Sequence, residues 1–310
     1  MNEFRDCLAG RIWFGSPSLR IMLVAILICR TLVCQTARAE DRGAHGPQRP
    51  VDTPRVRQLA TLANADILES SGIAASLVTP NLFWTHNDSG DGPRLFAFNE
   101  AGADLGVVAL AGITAIDWED MASFRRNQTG WLLVADVGDN ARRRETCQLH
   151  LLPEPGLTTR TATAHHTIHF RYEGGPRDCE AVGVDGASNT VLLVSKAAFR
   201  CEVFALTIPA VSSTRTLVAR SIAVISIPFA TALDISPDGE RAIVLTYADA
   251  YEFQRRGNEP WAEAFKREPR VVKMPPRRQG EAICYAPDGR SLYLTSEKWP
   301  TPLWKVERTP

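Results

Sequence analysis

The sequence shows no excess of charge of either sign and no cysteine spacing typical of a metal site. Its 35 Lys and Arg residues equal its 35 Asp and Glu residues, whereas nucleic-acid-binding domains carry a strong basic excess. Its seven cysteines form no CxxC pair and no Cys/His pattern of a zinc site. We therefore predict neither nucleic-acid binding nor a structural zinc site.

Apolar runs long enough to span a bilayer are also lacking. The run Ile21–Cys29 is too short, but it follows Arg11 and Arg20 and precedes Ala37-Arg-Ala39, a small-x-small cleavage pattern. This arrangement predicts a signal peptide over residues 1–39, with an uncleaved anchor as the alternative. The mature chain is then expected to be a periplasmic or extracellular protein without a transmembrane span.

The mature chain begins with a segment that shows no periodicity. Residues 40–54 are rich in Gly, Pro, Arg and Asp, and they predict a flexible lead-in to one domain over residues 55–310. Four cysteines follow residue 39, and their spacing does not choose between the three possible disulfide pairings. These cysteines are Cys147, Cys179, Cys201 and Cys284.

Residues 55–310 contain five segments of one design, each with polar residues at its start and a short apolar strand after them. Their third positions are 48, 61, 51 and 50 residues apart, a period typical of propeller blades. A second apolar strand follows each segment, in two repeats after the hairpin turns Asp238-Gly239 and Asp288-Gly289. The pattern predicts an all-β chain that forms a single β-propeller with five four-stranded blades. The third positions are Ser71, Glu119, Glu180, Thr231 and Glu281.

Two points of the architecture stay open at this stage. The fifth repeat shows only three strands before Pro310, and we predict that Arg55–Ala63 pairs with Leu303–Val306 to supply the fourth and close the ring. Six blades are the alternative, if the long interval between Glu119 and Glu180 contains a degenerate blade. A large β-sandwich is the rival fold, but it does not require such even spacing.

Polar residues stand at two places that share one face of a propeller. In each blade the innermost strand begins and the second strand ends on the same face of the disc, which we call the mouth face. Ten carboxylates at these positions would repel each other, and calcium, which accepts six to eight oxygen ligands, is the simplest compensation. The predicted metal ligands are Glu69, Asp88, Asp117, Asp136, Asp178 and Glu281.

Other residues of the mouth face are predicted to act on a ligand. Glu119 and Glu180 are candidates for activating water, and Lys196 and His86 for positioning a leaving group. The alternative is that the acids pair with Lys196 and Arg142–Arg144, or cap backbone amides. The predicted ligand-binding residues are Asn87, Asp139, Asn140, Tyr247 and Glu297.

Six short motifs occur in a fixed order, and as a set they resemble those of a group of uncharacterised exported bacterial β-propeller proteins. The resemblance covers about residues 67–308 and implies the fold and export, but no activity. A more distant architectural likeness to phytase-type and esterase-like propellers stops short of phytate hydrolysis, because the Asp-Asp-Pro-Ala segment is absent. The fourth repeat also departs from the others, with Phe229-Ala-Thr231 in place of acids. The motifs are Glu69-Ser-Ser-Gly-Ile73, His86-Asn-Asp-Ser-Gly-Asp91, Asp117-Trp-Glu-Asp120, Ala135-Asp-Val-Gly-Asp-Asn140, Asp178-Cys-Glu-Ala181 and Gln279-Gly-Glu-Ala282.

The sequence thus predicts an exported, monomeric propeller that binds calcium and an unknown small molecule or exported protein at its acidic mouth. The alternative function is a metal-dependent hydrolase of phosphate esters, esters or lactones, in which the metal polarises the substrate. A third interpretation makes the acids a salt-bridged framework without a ligand.

Overall fold

The computed structural model of the protein describes residue 49, residues 51–212 and residues 214–308. The predicted signal peptide and most of the predicted lead-in lie outside the described residues. Strands dominate, and the helix α1 (Trp261–Ala264) has only four residues. In the described part of the chain, no helix has the length and hydrophobicity needed to cross a bilayer.

The strands form five blades, each with four antiparallel strands that follow one another from the central channel outwards. Blade one comprises β3 (Ser70–Ala75), β4 (Phe83–Asn87), β5 (Arg94–Phe98) and β6 (Asp104–Ala111). Blade two comprises β7 (Trp118–Arg126), β8 (Thr129–Asp136), β9 (Cys147–Pro153) and β11 (His166–Tyr172). Blade three comprises β12 (Cys179–Asp185), β13 (Thr190–Ser195), β14 (Cys201–Thr207) and β15 (Leu217–Ile225). Blade four comprises β16 (Ala230–Ile235), β17 (Arg241–Thr246), β18 (Ala250–Gln254) and β19 (Arg270–Val272), and blade five comprises β20 (Ala282–Tyr285), β21 (Ser291–Thr295), β22 (Pro302–Glu307) and β2 (Arg55–Thr61).

The blades close into a ring. Each innermost strand packs against the innermost strand of the next blade, and β20 of blade five packs against β3 of blade one. The predicted five-bladed propeller is therefore confirmed, and the six-bladed alternative is wrong. The long interval between the second and third repeats holds the connection from β9 to β11, in which β10 (Thr161–Thr163) pairs in parallel with β6 of blade one.

The ring is closed by the N-terminal strand, as predicted. Strand β2 runs antiparallel to β22, with Arg55 opposite Glu307 and Thr61 opposite Pro302. The segment before β2 is also partly ordered, because β1 (Val51–Asp52) pairs in parallel with β19, the outer strand of blade four. The last part of the predicted lead-in is thus a strand, since the edge of β19 offers it backbone partners.

Five hydrophobic cores hold the disc together, one at each interface between neighbouring blades. At the interface of blades one and two, for example, Trp84 and Leu95 pack with Trp118, Met121 and Leu132. The four cysteines predicted for the mature chain are free thiols buried in the protein. The stability of the described domain therefore comes from blade packing and not from disulfides among these four residues.

One strand of blade four was not predicted from the sequence. Strand β18, the third strand of this blade, contains the buried acid Glu252, whose carboxylate accepts a hydrogen bond from Tyr285 Oη at 2.7 Å and pairs with Arg308. A charged residue in the middle of a short strand removes the apolar alternation by which strands are identified.

Candidate functional site at the mouth face

In four of the five repeats, a β-bulge leaves the third residue unpaired, so that its side chain points away from the regular sheet pattern. In blades one to four, the register between the innermost and second strands shifts by one residue close to the start of the innermost strand. A bulge leaves one residue unpaired and redirects its side chain. The four unpaired residues are Ser71, Glu119, Glu180 and Thr231, the same positions that define the repeat.

The chemistry of the bulge residue differs between blades. Ser71 Oγ donates a hydrogen bond to the carbonyl oxygen of Glu119 at 2.8 Å, and Thr231 Oγ1 donates to the carbonyl oxygen of Gly280 at 2.9 Å. The hydroxyl residues therefore tie neighbouring blades together. Glu119 and Glu180 instead place carboxylates in the mouth, where both are at most 4% exposed.

Three carboxylates from two blades converge in what we call the carboxylate cluster, formed by Asp88, Asp117 and Glu119. One oxygen of each lies within 4.8 Å of the others. Asp88 follows β4, Asp117 precedes β7, and Glu119 is the bulge residue of β7. Two basic groups of the mouth are engaged elsewhere, since Arg144 pairs with Asp136 and Lys196 with Glu180, each at 2.6 Å. Among the described residues, no ion pair reaches the cluster.

Gly138 lies directly against the carboxylate cluster. A Cβ atom at this position would clash with Glu119 Oε1 and lie 2.5 Å from Asp117 Oδ2. The Gly138 amide donates to the carbonyl oxygen of Asp117 at 3.1 Å, which holds the loop after β8 in place. Gly138 was not predicted as a site residue. The sequence feature that could have identified it is a glycine inside an acidic motif.

Burial and mutual repulsion favour the protonated forms of the cluster acids. Burial raises the pKa of Asp88 to about 7, and the negative charges of Asp117, Glu297 and Glu69 add to this shift. Burial also raises the pKa of Glu119 well above its ordinary value, followed by repulsion from Glu180. A bound cation would oppose both causes, because it favours the ionised carboxylates.

A second set of side chains, the lysine group, comes from blades three to five. Lys196 Nζ lies 2.6 Å from both carboxylate oxygens of Glu180 and 5.2 Å from the centroid of the Tyr247 ring. Tyr247 Oη donates to Glu281 Oε1 at 3.2 Å, and burial followed by the neighbouring Glu297 carboxyl raises the pKa of Glu281 well above its ordinary value. Burial raises the pKa of Glu180 to about 7, although Lys196 lowers it in part. The lysine group consists of Glu180, Lys196, Tyr247, Glu281 and Glu297.

Asn87 and Asp136 hold equivalent structural positions at the ends of second strands. Asn87 Oδ1 accepts hydrogen bonds from the N–H groups of the two residues before β3, at 3.0 and 3.1 Å. Asp136 accepts from the two residues before β7, at 3.0 and 3.3 Å, and is fully buried against Arg144. Both side chains therefore hold the chain that enters the innermost strand.

Three other predicted site residues, Asp139, His86 and Asn140, do not belong to the carboxylate cluster. Asp139 accepts the N–H groups of Arg143 and Arg144 at 2.9 and 2.7 Å, which fixes its own loop. His86 is fully buried, packs edge-on against Trp118 with ring centroids 5.5 Å apart, and has its pKa lowered by burial. Asn140 is solvent-exposed. The structure thus gives His86 a packing position beneath the mouth.

Two further acids belong to the mouth face. Glu69 is partly exposed and forms an isolated β-bridge with Glu297, and its carboxylate lies 3.8 Å from Lys298 Nζ. Asp178 is 9% exposed, and its Oδ1 has no hydrogen-bond partner among the described residues. Of the six predicted metal ligands, the carboxylate cluster contains Asp88 and Asp117, and it adds Glu119.

Metal-free protein is expected to lose stability as the pH rises from about 5 to about 8. Burial raises the pKa values of Asp88, Glu180 and Asp234 to about 7 each, whereas the unfolded chain releases these protons near pH 4. Between these values the folded protein binds more protons, so the free energy of unfolding falls with increasing pH. Melting temperatures in a chelator-containing pH series measure this, and a rising melting temperature would contradict it.

The strand order and ring closure define the fold without reference to other proteins. The chain is similar to the WD40 domain of Neurospora crassa Pan2, with 8% sequence identity and a TM-score of 0.36. That alignment covers 77% of this chain and 63% of the Pan2 chain, which is less than two thirds of its length. No protein-family model and no curated protein matches the sequence.

Proposed function

We propose that this β-propeller binds a divalent cation, calcium in the first instance, at the carboxylate cluster and uses the mouth face to hold a ligand or partner. The observation that carries the proposal is the convergence of Asp88, Asp117 and Glu119 within 4.8 Å, without a basic partner among the described residues. Calcium is coordinated by carboxylate oxygens in this manner and tolerates irregular geometry.

The framework interpretation accounts for other acids but not for the cluster. Asp136 has Arg144, Glu180 has Lys196, and Asp139 has two backbone amides. The cluster acids instead crowd together beside Gly138, where a larger residue would not fit. Three carboxylates in this arrangement are costly unless protons or a cation compensate their charge.

Export belongs to the same proposal. The apolar run and the Ala37-Arg-Ala39 pattern support secretion of a mature chain that begins near Glu40. Extracellular calcium modules bind with dissociation constants of about 10⁻⁴ to 10⁻³ M, and we expect this site to fall in that range.

Calcium is expected to bind wild-type protein with one saturable isotherm and to raise its melting temperature. At about one hundred times the dissociation constant, the stabilisation should reach about 2.7 kcal/mol. Glu119→Gln removes one charged ligand at the bulge and should abolish the isotherm. Titration calorimetry and thermal melting of residues 40–310 measure both effects. Glu145→Gln, which changes an exposed acid of the loop after β8, is the matched control and should bind as wild type does.

A steric variant separates the cluster from the general negative charge of the mouth. Gly138→Ala keeps all carboxylates and their charge but pushes those of Glu119 and Asp117 away from their present positions. It should also weaken calcium binding, while the lysine group remains intact. Equal calcium affinity in wild type, Glu119→Gln and Gly138→Ala would sink the proposal for the cluster.

Hydrolysis is the second candidate function, and the protonation behaviour of Glu180 favours it. A carboxyl with a pKa of about 7 beside a metal site suits general acid or base catalysis near neutral pH. Phosphate esters, carboxylic esters and lactones are the substrates to assay with and without calcium. Turnover that requires the metal and disappears in Glu180→Gln would establish it, and no turnover of any of the three classes would leave binding as the function.

A further inference from the structure

Exposed apolar side chains, including the two exposed aromatic ones, lie on the mouth face. Nine large hydrophobic residues are exposed in the described chain, and four of them lie in loops that enter innermost strands or leave second strands. Phe199 is 81% exposed and Trp299 is 56% exposed, and these are the two aromatic members of the nine. Leu68 and Ile116 are 54% and 51% exposed, and each directly precedes an acid of the mouth.

Exposed basic residues stand next to these apolar ones. Arg200 follows Phe199, and Lys298 precedes Trp299, while Arg142, Arg143 and Arg278 are exposed in other loops of the same face. Lys298 is also tied to Leu68, because its amide donates to the Leu68 carbonyl oxygen at 2.9 Å. We call this set the rim: Leu68, Ile116, Arg142, Arg143, Phe199, Arg200, Arg278, Lys298 and Trp299.

The rim arginines are available to an outside partner. In the described structure, none of the four forms an ion pair within 4.0 Å, whereas Lys298 Nζ lies 3.7 Å from Glu297 and 3.8 Å from Glu69. The acids of the mouth lie deeper than the rim, with Glu119, Glu180 and Glu281 at most 5% exposed. The face is therefore acidic in its recess, whereas its surface carries the basic and apolar rim together with two exposed acids, Asp66 and Glu145.

We propose that the mouth face, with calcium bound, docks onto an anionic phospholipid surface. This inference rests on the proposed calcium site. Tryptophan and phenylalanine side chains insert favourably at the boundary between headgroups and acyl chains. Each basic residue near an anionic bilayer adds electrostatic attraction. Loops from several blades around a ring suit a flat partner better than a groove-binding peptide.

Calcium has two roles in this docking. It reduces the negative potential of the recess, which would otherwise repel anionic headgroups. The three cluster carboxylates also leave coordination positions of a six- to eight-coordinate ion open to phosphate oxygens of a lipid. Vesicle binding should therefore require both the metal and the aromatic rim residues.

The test is co-sedimentation of the mature protein with vesicles, with a calcium titration of every variant in parallel. The vesicles consist of phosphatidylcholine alone or phosphatidylcholine mixed with phosphatidylserine, each with millimolar calcium or with a chelator. The test variant is the double change Phe199→Ser and Trp299→Ser. The matched control is Val78→Ser with Val211→Ser, because these valines are 61% and 75% exposed in hairpins of the opposite face.

Wild type and control should bind phosphatidylserine vesicles in calcium, and the test variant should bind about tenfold more weakly while keeping its calcium affinity. If the wild-type protein binds calcium but does not prefer the anionic vesicles, the lipid inference is wrong and the proposed metal site is unaffected. If the wild-type protein does not bind calcium, the proposed function fails. If it binds vesicles equally well with calcium and with chelator, the inferred requirement for the metal is wrong. Capture of a soluble protein by the rim, without vesicle binding, would assign the surface to that protein instead.

Discussion

A mature chain that lacks residues 49–62 is expected to unfold without cooperativity and to self-associate. The deletion removes β2, so that β22 of blade five loses its antiparallel partner along its whole length. It also removes Val56, Leu59 and Leu62, which pack in the cores on both sides of blade five. Full burial of such a side chain contributes about 1.5–3 kcal/mol, and Leu62 is buried while Val56 and Leu59 are partly buried. The combined loss is therefore a large part of the net stability of about 5–15 kcal/mol of a typical domain.

Self-association follows from the same geometry. An unpaired β22 presents a row of free backbone amides and carbonyls, which templates pairing with another chain. Size-exclusion chromatography, denaturant unfolding and a dye that binds exposed apolar surface measure the expected changes. The truncated protein should elute early, bind the dye and lose the steep unfolding transition of wild type.

A circularly permuted chain, in which the β2 residues are moved to the C-terminus, is the control for the truncation. Because Arg55 lies opposite Glu307, residues 55–62 can follow Glu307 through a two-residue turn and form a hairpin with β22. This chain, which starts at Ala63, should recover cooperative unfolding and the monomeric elution volume. If the truncated protein unfolds as cooperatively as wild type, the pairing of β2 with β22 contributes little to the stability of the ring.

The blades could be predicted from the sequence because one local signal marks each of them. The third residue of the repeat is the unpaired residue of a β-bulge in four blades, so its polarity against an apolar background recurs at the blade period. The pairing of β2 followed from a missing strand and an unpartnered one. Strands β1 and β10 could not be predicted, because each has two or three residues that pair with a distant blade edge.

The face of the propeller that carries the site could be predicted from the sequence, but the role of each acid on that face could not. Asp88 and Asp136 both come at the ends of second strands, yet Asp136 is the equivalent of Asn87 and is held by Arg144, whereas Asp88 lies one residue further on and belongs to the carboxylate cluster. Arg144 belongs to the loop after β8, which is fixed by Asp139 through the amides of Arg143 and Arg144. Sequence spacing does not report such a fold-back, nor the burial that removes His86 from the mouth.

Asp120→Ala is expected to destabilise the protein strongly. Asp120 is fully buried, and its Oδ1 accepts the N–H of Met121 at 2.8 Å. Its Oδ2 accepts the N–H of Val182 at 2.8 Å and of Leu233 at 3.0 Å. One carboxyl thus joins the innermost strands of blades two, three and four at the channel.

Alanine leaves three buried amides without their acceptor, and each unsatisfied group costs about 1–3 kcal/mol. We expect a loss of about 3–9 kcal/mol in the free energy of unfolding, measured by denaturant titration. Asp288→Ala is the matched control, because Asp288 is exposed and accepts one amide, from Arg290, at 2.9 Å. A loss from Asp120→Ala no larger than that from Asp288→Ala would contradict the bridging role.

Asp120→Asn tests the charge separately from the shape. Burial raises the pKa of Asp120 well above its ordinary value, although the three amides lower it in part. A raised pKa means that the protonated carboxyl stabilises the fold at low pH and that this contribution is lost as the pH rises towards the folded-state pKa. Asparagine does not titrate, so its cost relative to wild type should be larger at about pH 5 than at about pH 8. A cost that instead grows with pH would mean that Asp120 joins the three blades as a carboxylate, with the amides outweighing its burial.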